Sequence, residues 1–285
     1  MPELPEVQTI ADGLNKKTKN AIITDVFCDW KKMIQKPKSW QEFRKRIVGE
    51  KIQNVERKGK FVVFVLSNSY LVVHLRMTGH FIIIDEKKKK DKNDPMHEKV
   101  NQYIHFVLKL KDGRVAALSD LRKFGKISLI KKDEFQKDIA MNKIGTDPMA
   151  PEFTFQKFLE ILKNKKGNIK QILLDQSLIA GIGNIYSSEI LWEAKINPLR
   201  KVDSLNKKEL EQIFKAIKKV LQIAVENRGD SESDYRDIDG KQGNYQNIQK
   251  VYQKDSEKCP RKDGGIIKRV KIGQRSGFYC PVCQK

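Results

Sequence analysis

The opening residues MPELPE place an imino acid and two carboxylic acids within one helical turn. Removal of Met1, which the small residue after it permits, leaves Pro2 with a free secondary amine beside Glu3. An amine able to attack carbon, next to an acid able to donate a proton, is a nucleophile with its acid. Glu3 and Glu6 are three apart, so on a helix they share a face. A purely structural reading accounts for the same residues: proline presets φ at a helix start, and acidic side chains there complement the helix dipole. So short a motif supports either.

Two further groups have spacings suited to chemistry. In AGIGNIYSSEI, Gly181 and Gly183 let backbone N–H groups approach a ligand and Asn184 is placed to cap the following helix, which suits an anion as well as a tight turn. The third glycine of a dinucleotide fingerprint is missing. Three of the four cysteines, Cys259, Cys280 and Cys283, fall in the last 27 residues, which suggests a metal site rather than disulfides. Cys280 and Cys283 have zinc-knuckle spacing, but the position that would pair with Cys259 is Lys262, and a protonated lysine cannot ligate zinc. That leaves three thiolates and a gap for Asp263, water or nothing to fill. Cys28, alone in VFCDW, reads as a small buried hydrophobe.

The elements that must position these groups divide the chain. An opening helix runs to about Asn20. Then KFVVFVL, SYLVVHLRM, HFIIID, YIHFVLKL, RVAALSD and KISLI are short, β-branched and aromatic, as in an antiparallel sandwich or barrel. Residues 1–150 read as a β-rich domain with one helix in front. After GTDPMAPEF the period becomes helical, and residues 151–249 form a helical domain ending in a polar stretch from about 228 to 249, too hydrophilic for core and long enough for a functional loop. Residues 250–285 read as a hairpin carrying the cysteines. The fold class is α+β.

Lys and Arg number 57 against 36 Asp and Glu, a net charge of +21, and a polyanionic partner is the simplest explanation. The run Lys87 to Lys90 reads as a solvated loop. No apolar run is long enough for a membrane helix, and the acidic N-terminus is unlike a signal peptide, so the expected location is the cytoplasm.

In this order, PELPEV, KGKFVV, HLRMTG, DLRKFG, LLDQSLIAGIGNIYSSEIL and QRSGFYCPVCQ resemble the bacterial formamidopyrimidine-DNA glycosylases over nearly the whole chain. The opening is similar to that branch rather than to its sister, endonuclease VIII. The resemblance implies a β-sandwich, a helix-two-turn-helix domain and a zinc-finger-like hairpin, acting as a monomer on damaged double-stranded DNA. It implies excision of oxidised purines, 8-oxoguanine and formamidopyrimidines, followed by β,δ-elimination at the abasic site. Pro2 would attack the sugar C1′, with Glu3 opening the ring and Glu6 supporting it. Lys60 corresponds to a catalytic-site lysine near the phosphates and the reacting sugar, and His74 to a phosphate contact. Met77, Arg122 and Phe124 correspond to the wedge that fills the hole left by the extruded base, Asn184 and Arg275 to phosphate grips, and residues 228–249 to a loop over that base. One structural zinc is implied, with three cysteines for its ligands. Lys123 stands where a second arginine is common. Two alternatives stay open: oxidised-pyrimidine activity of the endonuclease VIII type, and lesion binding without turnover.

Overall fold

Helix α1 (Leu4–Thr18) stops where Lys19 leaves helical geometry and Asn20 turns to a left-handed φ of 68°, two residues short of the expected end. Its apolar face, Val7, Ile10, Ala11 and Leu14, is fully buried. The structure is a computed structural model and describes residues 1–85, 94–232 and 234–285; the Lys87 to Lys90 run lies outside the described residues.

Strands β1 (Ile23–Cys28) and β2 (Ile34–Lys36), helix α2 (Trp40–Ile47) and strands β3 (Ile52–Lys58), β4 (Phe61–Leu66), β5 (Ser69–His74), β6 (His80–Asp85), β7 (Ile104–Leu110), β8 (Arg114–Ser119) and β9 (Lys126–Lys131) follow. They form a sandwich of two sheets, ordered β1-β7-β8-β6 and β2-β9-β5-β4-β3. All pairs are antiparallel except β2 with β9. Alternation along the strands sends Val62, Phe64, Leu71, Val73, Phe81, Phe106 and Leu118 into one core with α1 and α2. Cys28 is a member of that core, as its sequence context suggests.

Short helices α3 (Lys132–Phe135) and α4 (Ile139–Asn142) close this part, and the chain turns to α5 (Phe155–Leu162), α6 (Ile169–Leu174), α7 (Asn184–Glu193) and α8 (Lys207–Glu226). The hairpin of β10 (Lys268–Ile272) and β11 (Arg275–Tyr279) ends it. Two compact units result, residues 1–142 with 227–246, and residues 143–226 with 247–285. Of the stretch attached above to the helical domain, the part up to residue 246 thus groups with the sandwich. It is also not uniformly outside the core: Tyr235 and Ile238 are buried among the sandwich side chains, and Ile83 donates its N–H to the Ile238 carbonyl at 2.9 Å. Hydrophilic composition concealed two buried anchors eleven and eight residues before its end.

In the second unit, Glu189 of α7 is 2% exposed and accepts the backbone N–H groups of Lys250, Val251 and Tyr252 at 2.8–2.9 Å, fastening the segment that leads to the hairpin. Burial raises its carboxyl above the usual range, and the three donors oppose that rise. Glu189→Ala leaves three donors unmatched and should cost on the order of 3 kcal/mol in urea unfolding, with Glu189→Gln costing about half as much.

Candidate active site and metal centre

Glu3 caps α1 in a capping box with Glu6, whose Oε2 accepts the Glu3 N–H at 2.7 Å. The structural reading of the opening is therefore realised. It does not exhaust the observation, because exposed helix ends do not bury their caps: Glu3 is 2% and Glu6 1% exposed, and Pro2 is buried beside them. The second oxygen of Glu6 accepts the backbone N–H of Asp230 at 2.8 Å. Gly229, at φ +75°, lies so close that a Cβ there would stand 2.5 Å from Glu6 Oε1. Glu6 is thus the joint between the chain start and the 227–246 segment.

Lys60 sits in the β3–β4 turn and is 7% exposed. The turn is tied to α1, since Arg57 donates to Gln8 Oε1 at 2.7 Å and to the Gly59 carbonyl at 3.3 Å. Strand register then collects the remaining candidates of this unit. Phe61 pairs with His74 and His74 with Lys126, so the start of β4, the end of β5 and the start of β9 lie at one end of the five-stranded sheet. Lys60, His74, the Leu75–Gly79 turn and the Asp120–Gly125 turn all border that end.

His74 packs edge-on against Phe61 and accepts the Arg76 N–H at Nδ1, 3.0 Å away. Burial, then the charges of Arg76 and Lys60, push its pKa down to about 3. The ring is neutral at physiological pH, with Nδ1 occupied as an acceptor and Nε2–H left as the donor. Met77 and Phe124 are 39% and 48% exposed, so neither is the core residue that its hydrophobicity alone suggests. The Arg122 guanidinium lies over the Phe124 ring at 4.7 Å.

The other candidates belong to the second unit. Gly183, not Asn184, is the N-cap of α7; Asn184 is already helical, so its side chain does not cap, and its Oδ1 is buried without a hydrogen-bond partner among the described residues. Lys170, wholly buried, donates to Ser187 Oγ at 2.7 Å, Ser188 Oγ at 2.9 Å and the Asn184 carbonyl at 3.3 Å. A Cβ at Gly277 of β11 would meet the Lys170 stem at 3.3 Å, so the hairpin packs directly on this lysine. Arg275, exposed at the hairpin turn, is two residues from Gly277. Lys170 was invisible among so many cations in the sequence.

Cys259, Asp263, Cys280 and Cys283 form a possible metal site, with ligand atoms all within 4.8 Å of one another. Their spacing suits a tetrahedral ion. Cys259 and Cys283 sulfurs are 3.9 Å apart and Cys280 Sγ lies 3.4 Å from Asp263 Oδ2. Metal–sulfur bonds of about 2.3 Å and a metal–oxygen bond of about 2.0 Å call for separations of roughly 3.8 and 3.5 Å. Lys262 takes a left-handed φ of 56° and is not among the clustered residues, while Asp263, one residue on, is. Gly265 donates to Asp263 Oδ1 at 2.8 Å, and a Cβ there would stand 2.3 Å from Cys280 Sγ. Arg261 spans the cluster and α7, donating to Cys283 Sγ at 3.3 Å and to the Trp192 carbonyl at 2.7 Å while lying 3.8 Å over the Trp192 ring.

Residues 1–127 match the family model of the formamidopyrimidine-DNA glycosylase N-terminal domain, and residues 144–236 that of its H2TH domain. The chain belongs to the formamidopyrimidine-DNA glycosylase family. It is 36% identical over 293 residues to the formamidopyrimidine-DNA glycosylase of Protochlamydia amoebophila and 40% identical over 286 residues to that of Carboxydothermus hydrogenoformans, each alignment covering all of both chains. Its fold is similar to that of a Lactococcus lactis Fpg in complex with an abasic-site-containing DNA, with TM-score 0.86, 32% identity and 99% coverage of each chain. A second structure of that enzyme, with FAPY-dG-containing DNA, gives TM-score 0.85 and 32% identity over 99% of this chain and all of the other. The protein is a DNA glycosylase of this family, acting on damaged DNA in base excision repair. Among the described residues, no helix is long and apolar enough to cross a membrane.

One titrating group at the chain start had no signal in the sequence. Burial pushes the Asp230 carboxyl from 3.8 up to about 6; the N–H it accepts from Glu232 opposes this, and the charges of Glu232 and Glu3 add to it. The folded state therefore holds this proton to a higher pH than the unfolded chain, and stability from it is lost as pH rises through about 6. Asp230→Asn cannot ionise. Its stability relative to the wild type should rise by on the order of 2 kcal/mol between roughly pH 4 and pH 8 in urea unfolding.

Proposed function

We propose that this enzyme excises oxidised purines, 8-oxoguanine and formamidopyrimidines, from duplex DNA and cleaves the strand at the abasic site through a Schiff base on Pro2. The observation that carries the proposal is the burial of Pro2, Glu3 and Glu6 as one linked group at the start of α1. With Met1 removed, the Pro2 nitrogen attacks the deoxyribose C1′ while Glu3 protonates the ring oxygen. The C1′–N bond to the base breaks and the base departs with that electron pair; the Pro2 nitrogen loses its proton, and its lone pair then forms the C1′=N bond as the C1′–O4′ bond breaks, the ring oxygen keeping the proton from Glu3. The resulting iminium acidifies the C2′ proton, whose loss expels the 3′ phosphate, and a second elimination expels the 5′ phosphate. Glu6 holds the backbone of Glu3 during these steps.

Lys60 and the Nε2–H of His74 fit phosphate contacts, and the neutral ring makes His74 a donor without a counterion. Met77, Arg122 and Phe124 fit a wedge: two apolar side chains that fill the gap and an arginine that pairs with the orphaned cytosine. Asn184 and Arg275 fit grips on the backbone beside the extruded nucleotide; the role proposed for the loop of about residues 228–249 is to cover that base.

The ion suited to three thiolates and one carboxylate in tetrahedral array is zinc, held by Cys259, Cys280, Cys283 and Asp263. It supplies no step of the reaction and serves to hold the hairpin that carries Arg275. The four ligands exceed the charge of a divalent ion by two, which the Arg261 guanidinium partly offsets.

Borohydride should trap wild-type enzyme on abasic DNA as a covalent adduct. Pro2→Gly should lose the adduct and excision while retaining DNA binding, and Glu3→Gln should slow excision by about 10²-fold or more; near-normal activity in Pro2→Gly refutes the mechanism. Comparison of 8-oxoguanine:C with thymine-glycol:A duplexes separates this reading from the endonuclease VIII type. Metal analysis should find one zinc per chain. Asp263→Ala should weaken its retention against a chelator by roughly tenfold or more, whereas Lys262→Ala should not.

A further inference from the structure

The two turns that bear Met77, Arg122 and Phe124 are more than forty residues apart in the chain, yet they are fastened to each other by two buried side chains. Asp120 is wholly buried and Thr78 is 5% exposed. The Thr78 hydroxyl donates to Asp120 Oδ1 and accepts the Arg122 N–H at 3.1 Å. The other Asp120 oxygen accepts the Gly125 N–H at 2.7 Å. A hydroxyl has one proton to give, so the donor and acceptor roles of Thr78 are both engaged, and both reach across to the Asp120–Gly125 turn. Asp120 is itself fixed, its N–H donating to the Tyr103 carbonyl at 2.8 Å and its carbonyl accepting the Lys123 N–H at 3.0 Å. A Cβ at Gly125 would fall 2.7 Å from Met33 Cε and 3.2 Å from Asp120 Oδ2, so the junction has no slack.

We propose that Asp120 and Thr78 are positioning residues whose cross-brace delivers Met77, Arg122 and Phe124 to the duplex as one rigid set, and that this brace governs discrimination of the base opposite the lesion. The proposal rests on the wedge role assigned above to those three side chains. Both apolar members are exposed, and Arg122 already lies over Phe124, so the set is assembled before DNA arrives. A buried carboxylate is costly unless its lone pairs are matched, and this one is matched almost wholly by groups of the two turns. A planar guanidinium reads hydrogen-bond patterns only if its backbone is held to a fraction of an ångström, and the Arg122 N–H is the group that Thr78 holds. Loosening the junction lets Arg122 drift relative to Met77 while leaving Pro2, Glu3 and Glu6 in place.

Thr78→Val removes the hydroxyl and keeps the shape; Thr78→Ser keeps the hydroxyl. Single-turnover excision of 8-oxoguanine opposite cytosine and opposite adenine gives a ratio for each protein. Borohydride trapping on a single-stranded abasic oligonucleotide, which has no orphaned base, serves as the second readout. Thr78→Val should lower the cytosine-to-adenine ratio by roughly tenfold, mostly through slower reaction opposite cytosine, with single-strand trapping changed less than about twofold. Thr78→Ser should restore the ratio, and Asp120→Asn should reproduce the valine phenotype. An unchanged ratio in Thr78→Val, or an equal loss in duplex excision and single-strand trapping, overturns the proposal. Absence of any adduct with the wild type would instead overturn the functional reading beneath it.

Discussion

One carboxylate holds together what the site requires. Glu6 lies almost entirely out of water, where an ion is tolerated only if hydrogen bonds replace its hydration. Its two oxygens do this by accepting one backbone N–H from Glu3 and one from Asp230, residues more than two hundred positions apart. The proposed nucleophile and the segment proposed to face the lesion are thus tied to each other through one side chain. Gly229 shows how close the joint is, since any side chain there would collide with Glu6.

The two units divide the proposed work. The sandwich unit carries the chain start, the phosphate donors and the exposed wedge residues, assembled by strand register at one end of a sheet. The end of a sheet is a rigid mount, and its connecting turns project side chains beyond the core without disturbing it. The helical unit carries Asn184 and Arg275, and Lys170 stands between the helix that bears one and the hairpin that bears the other. A buried ammonium bound to two serine hydroxyls and a carbonyl fixes that helix start through directed bonds rather than apolar contact. Arg261 does similar service for the cysteine cluster, linking a thiol sulfur to the last turn of α7.

Much of this was legible in the sequence, and the omissions have physical causes. Six of the nine sandwich strands announce themselves as β-branched or aromatic runs. The three before them do not: β2 has only three residues and is held by a parallel partner, and β3, IQNVERK, buries only Ile52 and Val55. The acidic opening reads from sequence as a cap and as candidate chemistry alike; the structure shows the cap, and the burial that supports the second reading is something periodicity cannot supply. Asn184 was misplaced by one residue as the cap, since Gly183 satisfies the geometry with no side chain at all. Asp120 and Thr78 sat unnoticed inside motifs noticed for their neighbours, for a hydrogen bond between distant turns leaves no local pattern.

The return of residues 227–246 to the sandwich after the long helix α8 has a consequence for how the protein comes into being. Tyr235 and Ile238 belong to a core whose every other member lies before residue 130. A chain emerging N-terminus first from the ribosome must therefore hold that core incomplete, with two hydrophobic vacancies, while nearly a hundred residues of helical sequence are made. Helix α1 therefore acquires its last core neighbours only when about five-sixths of the chain has been made.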